Sequence, residues 1–127
     1  MLTEISQMET QLAVLAADRN LAADNVAAAW VAGDLTSAAH HTLRANALGR
    51  ELSAKTEAFQ ARLEDTISRL DWTVEMAQGQ AYALEAAGDM AAARETTARG
   101  TAALQARETL VNRYSHRLGL DAELAVY

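Results

Sequence analysis

The stretch "WVAGDLTSAA", Trp30 to Ala39, has a near copy in "EAAGDMAAAR", Glu85 to Arg94. The two Gly-Asp pairs, Gly33-Asp34 and Gly88-Asp89, stand 55 residues apart in a chain that has six glycines and no proline. Glycine tolerates the left-handed backbone that commonly ends a helix. Aspartate suits the position before a new helix, because its carboxylate accepts the unpaired N–H groups of the first turn. Each pair therefore reads as a stop followed at once by a start. So short a link favours antiparallel packing of the helices on either side.

The flanking sequence is helical in composition and period. Ala, Leu, Glu, Arg and Gln dominate, all good helix formers. Apolar residues recur every three or four positions, close to a heptad seam. One stripe runs through Ile5, Met8, Leu12, Leu15, Arg19, Ala22, Val26 and Ala29. A second runs from Leu35 through Phe59, Leu63 and Ile67 to Leu84. A third runs through Ala93, Gly100, Leu104 and Val111. The stripes predict helices near 2–32, 35–87 and 90–118. No Gly, Pro or Asn interrupts "EAFQARLEDTISRL" at the middle of the second, so a continuous helix is favoured there, bent at most near Gly49 or Gly79. The expected architecture is all-α and elongated: antiparallel helical hairpins, three helices with a very long, coiled-coil-like central one, dimerising into a helical bundle. The alternative is a compact four-helix bundle.

The corners also fix which residues face each other. In the first hairpin partners have numbers totalling about 67, and in the second about 177. Arg19 then lies across from Leu48 and Gly49, and Arg107 across from Leu70 and Asp71. Their stems can pack on the seam while the charged heads reach its edge, so Arg19, Arg107 and Asp71 are candidate register-setting residues. Acidic and basic blocks support the pairing: residues 1–43 hold five acids and one base, against four acids and five bases in 44–70. The 55-residue offset also matches Leu15 with Leu70 and Ala22 with Ala77, which makes 1–60 and 61–118 candidate duplicated hairpins within a single domain, 1–127.

Thirty of the 64 apolar residues are alanine, and alanine contributes much less on burial than the roughly 1.5–3 kcal/mol of a Leu or Ile. A core this thin motivates self-association. Trp72 lies off the seam set by Leu70 and Val74, one turn before Met76. With Tyr82, and with Phe59 at the expected overlap of all three helices, these residues form the candidate partner or dimer interface, since large aromatics anchor such surfaces. Trp30 is expected to pack over the first corner.

Other chemistry is poorly supported. There is no cysteine, hence no disulfide or thiolate ligand. His40 and His41 point about 100° apart on a helix, and His116 is isolated. No paired Glu-x-x-His motif, glycine-rich phosphate loop or nucleophile elbow is present. The expectation is a non-enzyme with no cofactor and no metal. A net charge of −6 weighs against phosphate-backbone binding, although His41, Lys55, Arg62 and Arg69 form a partial basic stripe. No signal peptide and no membrane span are read, so the expected location is cytoplasmic.

Trp30 and Gly33 are three apart, which departs from the two-residue spacing of the WxG hairpin proteins of type VII secretion. Over about residues 10–60, long helices meeting at a Gly-Asp corner loosely resemble flagellar and type III export chaperones, which implies a binding chaperone. The functional expectation is a protein-interaction or assembly protein acting through itself or a partner helix. The alternatives are a chaperone or adaptor for a secreted or assembly protein, and a nucleic-acid accessory protein.

Overall fold

The computed structural model describes residues 2–115. They form three helices: α1 (Leu2–Val31), α2 (Leu35–Ala86) and α3 (Met90–Tyr114). No strand occurs among the described residues. Two of the expected helices end one residue early. The third was expected to reach residue 118, but residues 116–118 lie outside the described region. α2 is a single helix of 52 residues, so the mid-chain break that a four-helix bundle requires is absent.

Both corners close through the same bonds. Gly33 and Gly88 have φ of 75° and 83°. The Gly33 N–H donates to the Trp30 carbonyl at 3.1 Å, and the Asp34 N–H to that of Ala29 at 2.9 Å. Fifty-five residues on, Gly88 donates to Glu85 at 3.0 Å and Asp89 to Leu84 at 2.9 Å. This is the Schellman pattern, which satisfies the last carbonyls of the ending helix. Each aspartate then caps the next helix. Asp34 Oδ1 accepts from the Ser37 N–H and Asp89 Oδ1 from the Ala92 N–H, both at 3.1 Å.

The helices group into two units, Met1–Ala61 and Arg62–Tyr127, with the division inside α2. The first unit buries Ile5, Leu12, Ala22, Ala29, Ala38 and Phe59. The second buries Leu63, Thr66, Ala77, Ala81, Ala93, Ala103, Leu110 and Tyr114. On α3 the buried stripe departs from the expected one. It passes through Ala103 and Leu110, one position before Leu104 and Val111, and leaves Leu104 exposed. The covered line runs Ala93, Thr96, Gly100, Ala103, Arg107, Leu110, Tyr114, a regular alternation of three- and four-residue steps. Each step of three from Ala93, Gly100 and Arg107 thus replaces the step of four that the expected stripe took. Thr42, Thr56 and Thr97, at positions of the expected stripes, donate their hydroxyls to the carbonyl four residues back, at 2.7–2.9 Å.

Candidate functional site

The register read from the corners is observed within each hairpin. Arg107 Nε pairs with Asp71 Oδ1 across the second. In the same hairpin a Cβ placed on Gly100 would lie 2.9 Å from the Ala77 Cβ, so the two helices approach closely where glycine allows it. In the first hairpin a Cβ on Gly49 would lie 3.7 Å from Arg19 Cδ, which places the Arg19 stem over Gly49. Arg107 and Asp71 are both only partly covered, so solvent limits their pairing to about 0–1 kcal/mol. The pair lies where the register read from the second corner puts it.

The four candidate interface residues separate by burial. Trp72 is 64% exposed, Met76 42% and Tyr82 77%. Phe59 is 0% exposed; it has no surface to offer a partner and belongs to the core of the first unit. The helical wheel explains Trp72. Leu63 and Ala81 lie nine residues to either side of it, each about half a turn around at roughly 100° per residue. Both are buried, so Trp72 points away from the face that α2 packs within the second unit. Met76 is about 40° from Trp72 and shares that outward face, whereas Tyr82 sits about 80° to its other side, on the flank.

Trp30 is 61% exposed and does not pack over the first corner. Val31 and Leu35 beside it are also exposed. The face that α1 turns to α2 here carries Ala29, which is buried with Ala38, and Trp30 and Val31 lie about 100° and 200° around the helix from it. The periodicity hid this patch: Trp30 and Val31 extend an apolar run, and Leu35 starts the stripe expected to be buried, yet it is exposed.

The polar groups near this corner serve the fold. Asp34 Oδ2 also accepts from the Ser37 hydroxyl at 2.8 Å. The Ser37 N–H and then its hydroxyl hold the Asp34 carboxyl below its ordinary value of 3.8, and His41 adds a smaller electrostatic contribution. The His40 and His41 rings meet edge-on at 5.7 Å. No three His, Cys, Asp or Glu among the described residues are close enough to hold a metal ion. None of the helices among them is long and apolar enough to cross a membrane.

Each hairpin also carries a groove between its helices. In the second it is small, about 130 Å³, and lined by Val74, Gln78, Gly100, Thr101 and Leu104 among others. In the first it is open, about 620 Å³, and its polar lining is Arg19, Asn20, Asn46, Arg50 and Ser53.

No protein-family model, curated protein or solved structure matches this chain.

Proposed function

We propose that this is a non-catalytic assembly protein that associates with a second copy of itself through the outward face of α2 around Trp72 and Met76. The observation that carries the proposal is the orientation of Trp72: a large aromatic, 64% exposed, opposite the packed face of its own helix. An exposed tryptophan surface is costly in water and gains most when an aromatic or apolar face covers it. The interior gives a second reason. Seven of the thirteen buried apolar residues are alanine, so each chain gains little from its own core and more by covering its exposed side chains. Tyr82, on the flank, would frame such a contact.

Sedimentation equilibrium of the full chain tests this. The expected result is a dimer whose dissociation constant rises at least tenfold in Trp72→Ala, with helicity unchanged by circular dichroism. A monomer at all accessible concentrations, or a dimer indifferent to the substitution, would overturn it. The exposed Trp30, Val31 and Leu35 favour a second reading, an adaptor that presents this corner to a partner helix. Under that reading Trp30→Ala would abolish partner binding and leave self-association intact.

A further inference from the structure

The two hairpins differ most where they are otherwise alike. Positions Val74, Gln78, Gly100, Thr101 and Leu104 of the second groove correspond, 55 residues earlier, to Arg19, Ala23, Ala45, Asn46 and Gly49 of the first. The second hairpin fills its groove with a valine and a leucine. The first has an arginine and a glycine at those positions. Removing the leucine side chain opens the space, and the Arg19 stem lies across the vacated surface of Gly49. Arg50 lines the same groove one residue further along α2, with Asn20, Asn46 and Ser53 around it and alanine for the rest of its wall.

The electrostatics of this groove are unusual in an acidic chain of net charge −6. Neither Arg19 nor Arg50 makes an ion pair or a side-chain hydrogen bond among the described residues. Lys55, Arg69, Arg99 and Arg107 are each paired with a carboxylate. Arg44 and Arg94, like Arg19 and Arg50, are not, but only Arg19 and Arg50 line a common groove. No acid lines the groove; Glu51, next to Arg50 in sequence, turns to Lys55 instead. Both guanidinium-bearing side chains line one groove, from opposite helices. Each offers a planar fork of donors that matches an oxyanion, and the two asparagine amides and the Ser53 hydroxyl add neutral donors. The groove is open, about 620 Å³, so a small anion reaches its arginines directly from solvent.

We propose that this groove of the first hairpin binds a small phosphoryl-bearing anion, held between Arg19 and Arg50. A tetrahedral phosphoryl group presents acceptor oxygens in several directions and can be shared by two forks. A planar carboxylate is satisfied by one. No aromatic side chain lines the groove, so it has no stacking platform for a base, and recognition rests on the phosphoryl group itself. The site is independent of the Trp72 surface and does not require self-association.

Isothermal titration of the full chain at low ionic strength, with inorganic pyrophosphate as the probe and citrate as a carboxylate comparator, tests the assignment. Saturable binding at one site per chain is expected, with pyrophosphate preferred. Arg19→Gln and Arg50→Gln should each weaken it at least tenfold. Gly49→Leu, which restores the residue of the second hairpin, should do the same by filling the groove, while Arg99→Gln should leave binding unchanged. Should Gly49→Leu not fold, Arg50→Gln, at an exposed position, decides the matter alone. Non-saturable binding, equal losses in Arg99→Gln and Arg50→Gln, or preference for citrate would overturn the assignment.

Discussion

Glycine and aspartate at the two corners determine where the chain reverses. Gly33 and Gly88 occupy the left-handed region, where a side chain costs roughly 1–2 kcal/mol. Gly88→Ala should therefore lower unfolding stability by about 1 kcal/mol, net of the entropy alanine removes from the unfolded chain. An unchanged urea midpoint would show that the corner is held by packing alone. Asp34 gives a pH signature. Its carboxyl is held below 3.8 by the Ser37 N–H and hydroxyl, so the folded state favours the ionised form. Its stabilising contribution is fully present above 3.8 and is lost as pH falls through the lower folded value. Ser37→Ala should move the Asp34 titration, followed by carboxyl NMR shifts, back up towards 3.8, although the backbone N–H still donates. These residues were legible in the sequence because both corner requirements, a positive φ and a cap, are met by single residue types.

At the scale of the elements, the same corners made the register legible. Once the reversal is placed, antiparallel helices of equal rise leave one pairing, and Gly100 with Ala77 and Arg107 with Asp71 obey it. Less legible was which side chain each turn buries. Period alone allows a step of three or of four from Gly100, and the greater bulk of Leu104 pointed to the step of four, while the fold takes the step of three and buries Ala103 instead. Periodicity did place Phe59 on the seam and Trp72 off it; taking Phe59 as an interface candidate as well went against that placement, and its burial decides the point. In the first groove the facing of Arg19 and Gly49 was legible from the corner register, but not the presence of Arg50 beside them, because Arg50 lies one residue off that pairing. The helical glycines supply a paired test. At Gly79 nothing lies within 4 Å of an added Cβ, so Gly79→Ala should gain up to about 1 kcal/mol from helix propensity. At Gly100 the added carbon meets Ala77 at 2.9 Å, and overpacking of this kind costs about 1–3 kcal/mol. Gly100→Ala should therefore be the destabilising member of the pair in thermal unfolding. Ala77→Gly in the same chain should recover part of the loss, and failure of that rescue would place the strain elsewhere.

For the whole molecule, the two proposed binding events respond to salt in opposite ways, which separates them without a mutation. Chains of net charge −6 repel each other, so association of two copies should strengthen as salt shortens the Debye length from about 30 Å at 0.01 M to about 8 Å at 0.15 M. An anion drawn to Arg19 and Arg50 is held by attraction, and the same salt weakens it. Mass action adds a second handle. A ligand or partner that binds only the folded state raises the unfolding temperature with its concentration. The melting temperature of the full chain should thus rise with protein concentration, more steeply at 0.15 M salt than at 0.01 M, and Trp72→Ala should flatten that dependence. Pyrophosphate should raise it most at 0.01 M, in wild type and Trp72→Ala alike, but not in Arg50→Gln. A melting temperature independent of protein concentration at both salt levels would mean that the exposed face of α2 remains uncovered by a second copy, whatever the groove of the first hairpin binds.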